Sequence, residues 1–463
     1  MKVSHTPAAT SATFDDPNLV SAAGLVPILA LADNAGLHTL ADKHLSVPTD
    51  KGANAGAKVT SLVAGMIAGA DSIDDMALLR HGGMNTVFTG RYAPSTLGSF
   101  LRTFTFGHVR QLDAIASRTL TRLSTRTPLI AHDPDQYVYV DVDDTIVEVH
   151  GHQKQGSGYG YSGVRGLNAI LATVSTSASA PVIVGQRLRE GAVGSPRGAA
   201  RLISDALAPT RRLDGLARAR ALFRADSAYY AHAAVTAAIT SGADVSVTAR
   251  MDAHVKKTIA TIPDDAWETI EYTNAIYDED NHRWISKAEV AEVDFTAFIS
   301  KKKSQQITGR LVVRRIPELN PKDLYAPTLF DTYRFHPFFT TSNLDTVTAD
   351  KTHRRHAVIE QVNSDVKNSG LAHLPSGKIN ANAAWLVLAV IAFNLTRAAA
   401  TIAGTGMAKA TTATIRTKLV SVPARIATSA RRVTLHLPEQ WPWETEWRSL
   451  FAAANAPPVR VVA

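Results

Sequence analysis

The stretch Tyr137 to Val149, YVYVDVDDTIVEV, constrains this chain more than any other. Its β-branched and aromatic residues are those that favour a strand in a half-buried or fully buried sheet. Asp141, Asp143 and Asp144 nevertheless interrupt it. Burying a carboxylate is costly unless a cation or hydrogen-bond donors hold it. An apolar strand that keeps three such groups therefore predicts a metal or catalytic site, the alternative being a strand end whose acids meet water.

Composition narrows the partners. The 463 residues allow a sizeable core and roughly two to four domains. With 45% hydrophobic and 19% charged residues the chain is globular, not disordered. The 49 Lys and Arg against 41 Asp and Glu leave a net charge of +8, which favours a polyanionic partner. Cysteine is absent, which excludes disulfides and Cys-based zinc sites. The start, MKVSHTPAATSATFDDP, lacks a signal-peptide pattern, and the longest apolar run, Ala383 to Phe393, is short for a bilayer span. A cytoplasmic protein with no membrane partner is expected.

Along the chain, residues 1–128 have helical apolar periodicity and form an expected DNA-binding or dimerisation region. A break at Gly82-Gly83 and a restart at Pro94 would suit a helix-turn-helix with Arg91, Arg102 and Arg110 on phosphates, although ordinary helical packing fits as well. Residues 129–250 then read as three antiparallel strands, a helix, a strand, a helix and a strand. That is the α/β layout of an RNase H-like catalytic core, in which the first and fourth strands are neighbours and bring Asp143 towards Asp226. Within it, Lys154, Tyr159, Tyr161 and Arg165 of a Gly-rich turn are either nucleic-acid contacts or simply a loop.

Residues 251–345 read as a β-rich insertion. Residues 346–400 are the second part of the core, where a long helix from Asp350 would carry His353, His356, Glu360 and Lys367 on one face. Residues 401–463 form a basic C-terminal region, expected to be a helical tail.

Two chemistries compete for the first strand. The string DVDDT resembles the opening motif of haloacid-dehalogenase phosphatases, with Asp141 as nucleophile and Asp143 as general acid. The paired acids which that family places after a later strand are missing from RADSAYYA. The other chemistry needs three carboxylates holding two divalent ions about 3.5–4 Å apart at a phosphodiester. Asp143, Asp226 and Glu360 supply the residue types.

Nearly the whole chain resembles the DDE transposases of bacterial insertion sequences, specifically insertion-sequence family thirteen-eighty of actinobacterial type. The likeness runs through SLVAGMIAGADSIDDM, APSTLGSFLRTFTFGHVRQLD, VDVDDTIVEVHG, KQGSGYGYSGVRG, RADS, IEQVNSDVKNSGLAHLPSG and ANAAWLVLAVIAFNLTRA. It implies an endonuclease and strand transferase that binds terminal inverted repeats in double-stranded DNA and cleaves there. The freed 3′-hydroxyls are then joined to target DNA, using two Mg²⁺ or Mn²⁺ ions per active site and a homodimeric synaptic complex in the nucleoid. A catalytically inactive, transposase-derived DNA-binding protein is the non-enzymatic alternative.

The resemblance also implies site residues. The D-x-T strand motif falls on Asp143-Asp144-Thr145, with Asp141 as the backup first acid, and Asp226 in RADS matches the second acid. Glu360 and Lys367 match the acid and lysine of the signature Y-x2-R-x3-E-x6-K. Its tyrosine and arginine fall on His353 and His356, beside Arg354 and Arg355, so DNA-phosphate contact is expected from this group and from Lys367. The His-x2-His spacing alternatively suits a transition metal. Trp267 and Trp284 are the candidates for stacking on an extruded base, or they are small-core tryptophans.

Overall fold

The computed structural model describes residues 1, 3–151, 153–278, 283–318 and 332–456; of these, 7, 271–278, 283–287, 317, 318 and 332 are described by backbone alone. After a short strand β1 (Leu19–Val20) come helices α1 (Leu25–Asn34), α2 (Leu37–His44), α3 (Ala55–Ala68), α4 (Pro94–Arg102) and α5 (Phe106–Ser124). Gly36, at φ 76°, supplies the left-handed residue that reverses the chain between α1 and α2. In α5, Val109, Leu112, Ile115, Leu120 and Leu123 recur every three to five residues and are buried, the stripe of a helix with one apolar face. Arg110 on α5 is engaged inside the protein, with Asp113 at 2.7 Å and Asp205 at 3.1 Å, and Arg91 bonds Asn85. Arg110 is thus committed to an ion-pair cluster, not free for phosphate.

The chain then enters strands β2 (Val138–Glu148), β3 (Gly158–Tyr159), β4 (Arg165–Ser175) and β5 (Val182–Glu190). Helix α6 (Ala199–Thr210) leads to β6 (Ala221–Ala225), and α7 (His232–Thr240) leads to β7 (Ala243–Thr248). The pairing follows this connectivity. Strands connected without an intervening helix, β2–β4 and β4–β5, are antiparallel, whereas those reached through a helix, β2–β6 and β6–β7, are parallel. Strand β2 lies between β4 and β6, buried on both sides, which is why it reads as nearly continuous β-branched residues.

Strands β8 (Glu268–Asp278), β9 (Arg283–Ala297), β10 (Ile307–Glu318) and β11 (Thr332–Thr340) form an antiparallel series. They extend the same sheet, because Phe338 pairs with Thr248 on β7. The order among the described residues is β3-β4-β2-β6-β7-β11-β10-β9-β8, with β5 also on β4.

The long helix expected from Asp350 is two helices, α8 (Thr346–Arg354) and α9 (Val358–Lys367), separated by a tighter 3₁₀ turn at 355–357. Asp345 caps α8 five residues before Asp350, accepting from the Thr348 amide at 2.9 Å. Near the break the Thr352 carbonyl accepts from Arg224 on β6 at 2.6 Å, an anchor from far along the chain.

Helix α10 (Ile379–Ala403) is the hub, packed against α3, α5 and β5. It is longer than the apolar run suggested and is long and apolar enough to cross a bilayer, yet it is buried by protein along most of its length. Polar residues on it bond within the protein: Asn394 bonds both the amide and the carbonyl of Ile183, and Arg397 Nη1 holds the Ala408 and Ala410 carbonyls. One apolar core joins α1 to α10 and the sheet.

The C-terminal region is not simply a helical tail. Strands β12 (Ala424–Ser429) and β13 (Arg432–His436) reverse at Ala430, whose φ is 51°, before helix α11 (Glu444–Asn455). Strand β12 also pairs with β1, so the two ends of the chain close one small sheet.

Candidate active site

Strand β2 carries its acids to two faces because side chains alternate along a strand. Asp141 and Asp143 share one face, covered by α9. Asp144 points to the other.

Asp141 is wholly buried and accepts from Arg224 Nε and Nη2, both at 2.7 Å, and from His356 Nδ1 at 3.2 Å. Burial alone would raise its carboxyl; the Arg224 guanidinium and His356 overcome that and hold it below the ordinary carboxylate range. A phosphatase nucleophile here would have no path to substrate, and a metal would have to displace a forked arginine. Asp141 is therefore a structural acid and not a stand-in for Asp143.

Asp143 lies beyond that pair. Val142 and Ala225 are the last partners in the parallel register of β2 and β6, so Asp143, midway along β2, and Asp226, just past the end of β6, come next where that pairing stops. Asp226 also starts a short turn, accepting from the Ala228 amide at 3.0 Å. Asp143 accepts from Asn363 of α9 at 2.8 Å. Neither acid is in an ion pair among the described residues. Burial, reinforced by neighbouring carboxylates, pushes Asp143 up to about 6 and raises Asp226 as well. Both line a cavity of about 1040 Å³ that also includes Asp144, Thr145, Tyr159, Tyr161, Arg250 and Lys367.

Glu360 stands apart. It is exposed, does not line that cavity and makes no hydrogen bond or ion pair among the described residues. It precedes Asn363 by three positions on α9, so the two share a helix face. Among the described residues no three acidic or imidazole side chains converge at metal-ligating distance. The fold thus brings Asp143 and Asp226 together and leaves Glu360 one turn away.

The histidine and arginine group disperses because the helix is broken. His353 stacks on Phe338 at 4.2 Å between ring centroids, with its nitrogens 2.9 Å and 3.0 Å from the Ser246 and Thr248 hydroxyls. Burial pushes it down to about 3, so it is a neutral packing group. His356 is held by Asp141, and Arg354 by Asp350 at 2.8 Å. Arg355 opens on a different cavity, with Arg397 and Lys409. No His-x2-His metal site forms, since the two rings serve different partners. Lys367 is 3.4 Å from the Thr145 hydroxyl, at the acid-bearing cavity.

Of the two tryptophans, Trp267 is half-buried with the Arg315 guanidinium 4.2 Å from its ring, and the side chain of Trp284 lies outside the described residues. In the Gly-rich turn, Arg165 bonds the Gly151 carbonyl and Ser157 within the loop, and Lys154 bonds the distant Leu374 carbonyl, anchoring the loop to the segment after α9. Tyr159 and Tyr161 are the exposed members that reach the cavity.

The family described as transposase DDE domain group 1 matches residues 6–457. The chain belongs to the DDE transposases. DNA is the partner and divalent metal the usual requirement of that family. No curated protein matches the transposase's sequence significantly. Asn363, Arg250 and the polar residues around Asp144 were not singled out from the transposase's sequence. Asn363 was findable, because a residue three positions from Glu360 on a helix shares its face. Arg250 was not, since nothing local distinguishes it from other arginines.

Proposed function

We propose that this transposase cuts DNA at the terminal inverted repeats of an insertion sequence of family thirteen-eighty and joins the 3′-hydroxyls to target DNA. The observation that carries this is the juxtaposition of the half-buried Asp143 and the more exposed Asp226, neither in an ion pair among the described residues, where the parallel pairing of β2 and β6 stops. Strand order and the α6 and α7 crossovers support an RNase H-like core around them.

The donor set fits a hard divalent cation. Carboxylate oxygens suit Mg²⁺ or Mn²⁺, and a cation would offset the desolvation, and the lesser mutual repulsion, that raise both acids. Asp143 and Asp226 would hold it, with Glu360 as the third carboxylate from the facing helix. When bound, such ions supply an activated water or 3′-hydroxyl and stabilise the leaving oxygen at a phosphodiester. Asn363 orients the Asp143 carboxylate by donating to Oδ2. Lys367 and Arg250 provide positive charge in the cavity for phosphate contact, and the net charge of +8 draws DNA to the protein. Two ends brought together would require at least a homodimer.

The test is nicking of a labelled duplex carrying the DNA that flanks this gene, with Mg²⁺, Mn²⁺ or EDTA, for the wild type and Asp226→Asn. Metal-dependent cuts at one position, lost in the variant, are expected. Binding without any cut would instead make the protein a catalytically inactive DNA-binding protein.

A further inference from the structure

Asp144 lines the cavity beside Asp143 but is held by side chains of its own. Its two oxygens are fully engaged. Oδ1 accepts from the Tyr229 hydroxyl at 2.6 Å, and Oδ2 accepts from Arg189 Nη2 at 3.1 Å and from the Asn168 amide. Arg189 is itself saturated. Nε and Nη2 bond Asn168 Oδ1 at 3.0 Å and 2.6 Å, and Nη1 bonds the Ser195 and Arg197 carbonyls at 2.9 Å and 2.6 Å. The Asp144 and Arg189 side chains are only 12% and 10% exposed, so these are charge-assisted bonds shielded from water.

The partners matter more than the number of bonds. Tyr229 closes the short turn that begins at Asp226. Asp144 adjoins Asp143 on β2, Asn168 is on β4, and the Ser195 and Arg197 carbonyls belong to the loop after β5. That loop walls the acid-bearing cavity through residues 191–196. One buried carboxylate thus ties together the strand bearing the first acid, the turn bearing the second and the wall of the cavity.

We propose that Tyr229 and Arg189, acting through Asp144, are positioning residues that set the spacing between Asp143 and Asp226 for a divalent ion. The Tyr229 hydroxyl fixes the Asp226 turn against β2, and the Arg189 fork fixes β2 against β4 and the loop. Asp144 is then not a third metal ligand, although it stands next to one. The inference rests on the proposed metal-holding role of Asp143 and Asp226.

The experiment compares wild type, Tyr229→Phe and Arg189→Lys, each first checked for an unchanged thermal melt. Mn²⁺ binding to the DNA-free protein is titrated by electron paramagnetic resonance, and end-duplex binding is measured in EDTA. The expected result for Tyr229→Phe is Mn²⁺ affinity and cleavage turnover each lowered about 10-fold to 100-fold, with EDTA-phase DNA binding within about twofold of wild type. Arg189→Lys, which keeps the charge but loses the fork, serves if Tyr229→Phe melts early. Wild-type Mn²⁺ affinity in a folded Tyr229→Phe protein overturns the proposal. A wild type that binds Mn²⁺ but never cuts DNA would refute the transposition reading while leaving the Mn²⁺ comparison valid.

Discussion

Asp141 and Arg224 face each other in register across β2 and β6, joined by two bonds of 2.7 Å and exposed by 0% and 1%. Removing one partner leaves the other charged in a dry interior. Arg224→Met should therefore destabilise the fold by about 3–5 kcal/mol, and the double change with Asp141→Leu should recover most of that. Urea unfolding of the three variants measures it; a single-variant loss under about 1 kcal/mol contradicts the account. Because Asp141 is held below its ordinary value, its contribution is present above about pH 4 and disappears as pH falls further.

The histidines give a second acid-sensitive range. His353 is pushed down to about 3 and His336 to about 4, both chiefly by burial. Each folded value lies below the unfolded one near 6.5, so their stabilisation is complete above about pH 6.5 and is lost as pH falls towards 3. The urea midpoint of the wild type should drop between pH 7 and pH 5. His353→Gln, which can still bond the Ser246 and Thr248 hydroxyls, should flatten that slope.

Asp143 behaves in the opposite sense. Its folded value of about 6 lies above the ordinary carboxylate value, so its stabilisation is full below about pH 4 and is lost as pH rises through 6. At pH 8 the metal-free protein carries this strain, and Asp143→Asn should raise its stability by about 1–3 kcal/mol while eliminating cleavage. Mn²⁺ should raise the melting temperature of the wild type and not of the variant. A variant less stable than wild type at pH 8 would count against the site.

Glu360 separates catalysis from folding most cleanly. Its side chain is exposed and bonds nothing among the described residues, so Glu360→Gln should leave the melting temperature within about 1 °C, as a surface change does. Metal-dependent nicking should nevertheless fall more than about 100-fold. Full nicking by Glu360→Gln would remove it from the site and turn attention to Asn363, the residue of that helix in contact with Asp143.

Net charge makes DNA affinity a further check. If phosphates are met by Lys367, Arg250 and the basic excess, the logarithm of affinity should fall linearly with the logarithm of salt. Lys367→Ala should reduce that slope by about one unit. An unchanged slope would place Lys367 outside the DNA path.

Legibility varied with range. Strand β2 was evident because its β-branched run is itself the cause of the strand, and its observed limits, Val138–Glu148, lie within the stretch read from sequence. The broken helix was not, because its anchor is Arg224 on the Thr352 carbonyl, 128 positions away. The closing of β12 on β1 was invisible for the same reason. Lys154 and Arg110 looked like candidates for DNA, yet each meets a partner far along the chain, Leu374 and Asp205, that no local pattern announces.

By itself, the sequence determined the alternation of strands and helices over residues 129–250, that three acids enter a buried strand, and that further acids in RADS and in a later helix are available to join them. Those properties follow from side-chain periodicity and chemistry over a few residues. Tertiary structure alone decided that Asp141 is neutralised by Arg224, that Asp144 is bound to Tyr229 and Arg189, and that Asp143 is left beside Asp226 facing a cavity. Three carboxylates so close in sequence have nearly the same intrinsic chemistry. What distinguishes them is desolvation and the partner each meets across the sheet, and both are set only when distant strands pair.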